Sequence, residues 1–502
     1  MISIDEMVAF CRRKGFVFPS SELYGGIAGI YDYGPLGVEL KNNIKKEWWK
    51  NHVQERDEIT GIDGAIISHQ KIWEASGHLS GFSDVILECK KCKNRVRGDH
   101  FIEDKLKISA DGMKSNEINN LVKEKKLKCP NCSGEFNEAS NFNLMFPVNV
   151  GVGTGLTAYL RGETAQLIFA DFKEVMNSAR LKLPFGIAQV GKAFRNEIAP
   201  RNFLFRLREF EQMEIEYFVK PGDNKCPFID EVLNHKINIY SSEMQSKNQK
   251  AEKMSMKEAL SKKIIKNEWH AFWLAHEHMF LISIGANPDN FRIRQHKKEE
   301  LAHYSSDCWD LEYNFPFGFK EIQGIADRQA YDLTQHINHS KQDLSIFDEE
   351  SKTKLVPHVV AEPSMGVDRA FLLIMFDAYT YDKERENVVL KLHPKLAPIK
   401  VAVLPLVNKL NEDAKKIHDE LKKEFNCYFD TSGSIGRRYA RQDEMGTPIC
   451  VTVDFDSLKD KDCTLRDRDS TKQIRVPLKD LNMTIWKLLS GKINFLDAGK
   501  LL

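Results

Sequence analysis

Residues 186–219, GIAQVGKAFRNEIAPRNFLFRLREFEQMEIEYFV, constrain the fold more than any other stretch of the chain. They read as two strands joined by a charged loop. The first strand ends near Phe194-Arg195-Asn196-Glu197, and Pro200, which cannot donate to a sheet ladder, interrupts the pattern together with Asn202. The second strand alternates: Met213, Ile215 and Tyr217 fall on one face, Phe210, Gln212, Glu214 and Glu216 on the other. The same parity puts Arg195 and Glu197 on a common face. One sheet surface therefore gathers Arg195, Glu197, Phe210, Gln212 and Glu214, with Arg201, Arg206 and Arg208 beside it. A guanidinium fork binds two phosphate oxygens at once, an aromatic ring stacks on a planar base, and carboxylates receive an ammonium or a metal ion. A solvated hairpin laced with surface ion pairs has the same composition, so the hairpin alone leaves both readings open.

Other stretches narrow the choice. Gly34-Pro35 opens a helix in which Leu36, Leu40, Ile44 and Trp48 recur at helical spacing. LVPHVVAE reads as a strand that runs through Gly366 into VDRAFLLIMFDAY, a helix too apolar to be anything but buried. Arg369 falls in its first turn, where the helix dipole disfavours a cation and a bound triphosphate would offset that cost. Cys89-x-x-Cys92 and Cys129-x-x-Cys132 form two pairs separated by 36 residues. Such pairs suit a tetrahedral zinc site, and redox or unliganded thiols are the competing readings. The lysine-rich residues 241–268 suit a solvated helical segment or a contact with nucleic-acid phosphates. His270, His276 and His278 lack the HExxH spacing of a metalloprotease, and His78 receives no role. Lys+Arg 73 against Asp+Glu 72 leaves a net charge of +1, so any nucleic-acid partner must meet a local basic patch. The N-terminus lacks a signal peptide's pattern, and no apolar stretch reaches membrane-spanning length; the expectation is a cytoplasmic protein with no membrane contact.

Phe194-Arg195-Asn196-Glu197 followed by Arg206-Leu207-Arg208-Glu209-Phe210 resembles motif 2 of the class II aminoacyl-tRNA synthetases. The longer wording GKAFRNEIAPRNFLFRLREFEQMEIEYF resembles the dimeric, single-chain glycyl-tRNA synthetases in particular. Tyr31–Gly37 is similar to their motif 1, Glu362–Arg369 to motif 3, and Glu321-Ile-Gln-Gly-Ile-Ala-Asp-Arg328 to their Glu-x-x-Gly-x-Ala-Asp-Arg run. Residues 433–443, GSIGRRYARQD, are similar to the anticodon-binding domain of class IIa enzymes.

The resemblance implies an α/β (α+β) architecture. An antiparallel-sheet catalytic domain would occupy residues 1–88 and 141–392, interrupted by a zinc arm over 89–140 and an insertion near 222–300. An α/β anticodon-binding domain would follow over 396–502. It implies glycine activation by ATP to glycyl-adenylate, transfer to tRNA(Gly), a homodimer formed through motif 1, and no editing domain. Arg195, Asn196, Glu197, Phe205, Arg206, Phe210, Glu321, Ile322, Gly366 and Arg369 would hold ATP, with Arg195, Arg369 and Glu321 catalytic and Glu321 also on Mg2+. Arg97, Glu163, Phe210, Gln212, Glu214, Glu362, Ser364 and Gly366 would hold glycine. Cys89, Cys92, Cys129 and Cys132 would hold structural Zn2+. Arg437, Arg438, Tyr439 and Arg441 would meet the tRNA. Two other readings stay open: a class IIa synthetase for another amino acid, and a non-catalytic synthetase-like subunit that grips nucleic acid.

Overall fold

The computed structural model describes residues 2–502 apart from Ser109, Asp111, Gly153, Thr154 and His303. Its largest element is a sheet built from β1 (Ile59–Ile62), β2 (Phe185–Phe194), β3 (Glu209–Val219), β4 (Lys236–Tyr240), β5 (Glu252–Ser255), β6 (Phe291–Gln295), β7 (Asp307–Phe315), β8 (Gly318–Asp327) and β9 (His358–Gly366). The strands lie in the order β5-β4-β6-β7-β8-β9-β3-β2-β1. Only β1 with β2 and β4 with β6 run parallel; the other pairs are antiparallel. β9 is the seam. It enters between β8 and β3 and joins two half-sheets that are otherwise separate, setting Gly366 opposite Gln212 and Ser364 opposite both Glu214 and Gly324.

Strand alternation decides which face is which. Met213, Ile215, Tyr217, Trp309, Leu311, Ile325 and Met365 point into one continuous apolar core. The helices that cover it are α1 (Ile4–Lys14), α2 (Pro35–Trp49), α4 (Glu268–Ser283) and α6 (Val367–Ala378), while α3 (Ala165–Ala179) and α5 (Tyr331–Ser340) contribute to a second cluster. α1 starts with a capping box at Ser3 and stops at Gly15, whose φ of 77° is open to glycine without strain. α2 carries Pro35 in its first turn, where no helical N–H is lost. Its apolar stripe, Leu36, Leu40, Ile44 and Trp48, is covered within the same chain rather than left for a partner. α6 is buried along almost its whole length, as its composition requires.

The stretch near 222–300, expected as an insertion, instead supplies β4, β5, β6 and the buried helix α4 to the main sheet. Residues 241–268 are two short helices flanking β5 rather than one lysine-rich helical segment. The inward residues, Ile237, Ile239, Met254 and Met256, are too few and too scattered among lysines for their pattern to stand out.

Between β1 and β2 the chain forms a small three-stranded unit from Ser83–Glu88, Arg95–Arg97 and Ser140–Asn143, with its own cluster of Leu87, Phe101, Ile102, Ile118 and Phe136. After residue 400 a six-stranded sheet with a separate core carries α7 (Asn411–Leu421) and α8 (Ile435–Met445). Arg385 ties it to the rest of the chain through Asp443 and the carbonyls of Arg468 and Asp469, and Asn387 adds a bond to the Ala440 carbonyl. None of the described helices is long and apolar enough to cross a membrane.

Candidate active site

On the face of the sheet opposite the core, across the β8–β9–β3 seam, lies a cavity of about 270 Å³. The polar parity of β3, β8 and β9 points there, and loop residues 204–207 and the first turn of α6 complete the wall. One part is cationic and aromatic, lined by Arg195, Glu197, Phe205, Arg206, Phe210, Glu321, Ile322, Gly366 and Arg369. The Arg195 Nε donates to the Gly162 carbonyl at 3.0 Å, and the guanidinium sits between the Phe82 and Phe210 rings at 5.1 and 5.3 Å. Arg369 lies over the Phe205 ring at 4.5 Å and donates to the carbonyls of Phe205 and Glu321. It also pairs with the Glu321 carboxylate at 3.2 Å. Burial acts to raise the Glu321 carboxyl, but Arg369 and His296 outweigh it and hold it below its ordinary value. Burial pulls the Arg206 guanidinium down, against Glu197 at 3.6 Å. One Glu197 oxygen is buried with no hydrogen-bond partner, an acceptor open to a donor. A Cβ on Gly366 would stand 3.4 Å from the Arg369 Cγ, so glycine leaves that side chain its room.

The other part is a nest of buried acids around Glu163, Glu214 and Glu362, with Gln212 donating to Ser364 at 3.2 Å. Burial opposes ionisation of Glu163, yet His78 at 3.3 Å and Arg328 prevail and hold it well below the usual carboxylate range. Glu214 accepts the Thr164 hydroxyl and is raised by burial and by Glu163. Glu362 accepts from Arg328 at 2.8 Å, but burial, Glu214 and Glu163 push it up to about 8. Behind them Glu216 is fully buried with neither oxygen bonded, and burial followed by Glu362 raises it well above the ordinary value. Arg328, held by Asp332 through two bonds of 2.7 and 2.8 Å, is among the described residues the one guanidinium bonded to this group. Such a nest offers an ammonium several carboxylate oxygens at low dielectric.

Several expected residues stand elsewhere. Arg97 is not part of the cavity wall: Asp99 and Asp84 hold its guanidinium at 2.7 and 2.9 Å. Asn196 is also outside the wall, its amide bonded to the Leu144 carbonyl. Arg208 bridges the Glu197 and Ala28 carbonyls and so fastens the 22–30 loop to the hairpin. On α8 only Arg437 of the four residues expected to meet RNA is exposed. Arg438 is buried and donates to the Pro405 and Asp430 carbonyls, which removes it from any RNA-facing role. Tyr439 shares its hydroxyl with Thr452 and carries Arg466 on its ring, and Arg441 is paired with Asp430.

Residues that sequence reasoning left without a role are as informative. His78 and Thr164 hold two of the acids, and Arg328 holds a third. Asp368 is buried and accepts from the Tyr33 hydroxyl, from Lys41 at 3.1 Å and from the Glu211 amide at 2.8 Å, tying α2, β3 and α6 together at the cavity floor. His296, Cys308 and Asp310 complete the wall near Glu321, and Tyr304 lies against Arg328 on the acid side. Arg328 and Asp368 do stand in runs singled out above, the Glu-x-x-Gly-x-Ala-Asp-Arg run and Glu362–Arg369, but neither received a role there.

Away from the cavity, the four cysteines of the two CxxC pairs come together, with Cys89 Sγ 3.5 Å from Cys132 Sγ and Cys92 Sγ 3.7 Å from Cys129 Sγ. Four thiolates about 2.3 Å from a tetrahedral ion lie roughly 3.8 Å apart, so the donor set and its spacing fit zinc.

The chain matches two family models, "tRNA synthetase class II core domain (G, H, P, S and T)" over residues 156–379 and "Anticodon binding domain" over residues 400–488. It is 46% identical to the glycine–tRNA ligase of Caldanaerobacter subterraneus subsp. tengcongensis over 98% of this chain and 99% of that one. The glycine–tRNA ligase of Acetivibrio thermocellus is 46% identical over the same shares. That of Bacillus anthracis is 45% identical over 99% of this chain and all of its own. A class II core joined to an anticodon-binding domain, with this identity from end to end, makes the chain a member of the glycine–tRNA ligase family of aminoacyl-tRNA synthetases.

Proposed function

We propose that the enzyme activates glycine with ATP to glycyl-adenylate and transfers the glycyl group to the 3′ end of tRNA(Gly), without a covalent enzyme intermediate. The observation that carries this reading is the union, in one cavity, of a guanidinium-and-aromatic wall with a nest of buried acids. ATP would lie on the first, with Arg195 on the α-phosphate, Arg206 and Arg369 on the β- and γ-phosphates, and Phe210 against the adenine. The open oxygen of Glu197 suits the adenine amino group. Arg369 would exchange its Glu321 partner for phosphate. Glu321, kept ionised beside it, would hold Mg2+, which supplies charge neutralisation to the departing pyrophosphate.

Glycine would enter with its ammonium among Glu163, Glu214 and Glu362, and its carboxylate oxygen would attack the α-phosphorus. The hydroxyl of the tRNA terminus then attacks the activated carbonyl, and AMP leaves. Positioning and preset charge carry both steps. Larger amino acids would be rejected because Ser364 and the acids leave no room for a Cβ. The four cysteines would hold structural Zn2+, cross-linking the 89–140 arm. Arg437, exposed on α8, is the residue of that group best suited to an RNA phosphate. A homodimer would form over apolar residues left exposed, such as Leu23 and Tyr24, both 88% accessible.

ATP–pyrophosphate exchange measured with each of the twenty amino acids tests the reading. Exchange with glycine alone supports it, exchange with another amino acid overturns the substrate, and no exchange by the folded enzyme overturns the activity.

A further inference from the structure

The wall near Glu321 contains a group of side chains that the proposed reaction does not use. β6 ends at Gln295, and its pairing with β7 continues one residue further: the His296 amide donates to the Cys308 carbonyl at 2.9 Å. Period-two alternation along β7 turns Cys308 and Asp310 to the same side, while Trp309 and Leu311 enter the core. An imidazole, a thiol and a carboxylate are thereby brought together, with one potential ligand atom from each lying within 4.8 Å of the other two. His296 Nε2 and Asp310 Oδ2 already approach to 2.7 Å. Gly324 keeps the space beside them open. A Cβ there would stand 3.8 Å from Asp310 Oδ1 and 3.9 Å from Glu321 Oε1, so the gap between these two carboxylates depends on the missing side chain.

We propose that His296, Cys308 and Asp310 form a binding site for a thiophilic divalent cation, zinc above all, in the cavity wall, and that its occupation blocks binding of the magnesium nucleotide beside Glu321. Three protein ligands of nitrogen, sulfur and oxygen type with a fourth position facing a cavity match the ligand count of an open zinc site. The ligand chemistry sets the selectivity: thiolate and imidazole favour zinc, whereas magnesium keeps to carboxylate, phosphate and water oxygens. Tetrahedral ligands about 2.0–2.3 Å from zinc lie roughly 3.3–3.8 Å apart, which side-chain rotation reaches from the present spacing. Coordination converts the Cys308 thiol to a thiolate, and its proton passes to the buffer. The cation then stands in the wall beside Asp310 and turns its charge and its open fourth position toward the cavity and Glu321, where the magnesium nucleotide would bind. This site is separate from the four-cysteine site, which shares no residue with it.

The test uses the full-length enzyme with its four-cysteine site already filled with zinc. It is dialysed against micromolar free zinc in excess magnesium, and bound metal is counted by mass spectrometry. The wild-type enzyme is expected to hold one zinc more than Cys308→Ala or His296→Ala, and saturating ATP is expected to prevent that extra uptake. Cobalt in place of zinc should give a sulfur-to-metal charge-transfer band that differs between wild type and Cys308→Ala. Measured against each enzyme's own rate in zinc-free buffer, inhibition of pyrophosphate exchange by zinc should need at least about tenfold more metal in Cys308→Ala than in wild type. Equal zinc content in wild type and Cys308→Ala would overturn the site. Extra zinc that ATP does not displace would overturn the blocking. The inhibition arm rests on the proposed glycine activation: absence of exchange in zinc-free buffer would defeat that activity, while the metal count would still decide the site.

Discussion

Glu362 is an acid whose surroundings oppose its ionisation, although the ligand proposed for it is a cation. Burial and two neighbouring glutamates push it up to about 8 against the pull of Arg328. In the empty site the proton stays on below that value, and an arriving ammonium must displace it. Glycine kcat/KM in pyrophosphate exchange should therefore climb from about pH 6 to about pH 8 and then level, and Glu362→Gln should lose the climb. The sign for stability is opposite. A carboxyl raised in the folded chain is harder to ionise there than in the unfolded chain, so its contribution to stability is lost as pH rises towards about 8. Arg195, set against the Phe82 and Phe210 rings, makes no ion pair with a carboxylate among the described residues, and Arg195→Ala should lower exchange by at least about a hundredfold. Its thermal melt should stay close to wild type, and an unchanged exchange rate would remove Arg195 from the reaction. Arg195, Glu163 and Glu362 were expected at the site through the family resemblance of the runs that hold them, and all three line the cavity. His78, Thr164 and Asp368 were not expected there, because each acts through a partner far away in the chain, and nothing next to them in sequence records that partner.

At the scale of elements, Asp368 concentrates much of the local order. It receives Tyr33, Lys41 and a backbone amide of β3, so one carboxylate fixes α2, the hairpin and α6 against each other. Asp368→Asn leaves Lys41 buried without its full countercharge and should cost about 3 kcal/mol, read from the denaturant midpoint. The small unit around the four cysteines has only a short list of buried apolar residues beyond the thiols themselves. Stripping metal with a chelator should open it to proteolysis within residues 93–128 and leave the main sheet intact, seen as a nicked chain whose two parts remain associated. The hairpin was legible from alternation alone, and its polar face is the cavity face. β4, β5 and β6 were not, because short strands with two or three inward residues resemble a charged surface when read one segment at a time.

In the whole molecule, the two larger units meet through side chains distant from the cavity. Arg385 is central to that contact, bonding Asp443 and two carbonyls of the C-terminal sheet domain. Arg385→Ala should leave pyrophosphate exchange untouched and lower tRNA aminoacylation severalfold; equal losses in both assays would show that the contact does more than hold the two units together. The division into a large sheet and a smaller α/β module was legible because the pattern restarts after Pro394. The path of the chain through the large sheet was not, since pairing partners more than a hundred residues apart leave no local trace. That path has a consequence for how the enzyme is made. On a ribosome, residues 59–219 and 236–327 emerge as two partial sheets, each with an open edge, β3 on one and β8 on the other. Neither edge finds its partner until residues 358–366 leave the exit tunnel and slide between them. The nascent enzyme thus spends the intervening synthesis with two exposed strand edges, the condition in which chaperones are most needed. A chain stopped short of β9 would be an aggregation hazard with no cavity at all, so translation itself allows no half-active enzyme.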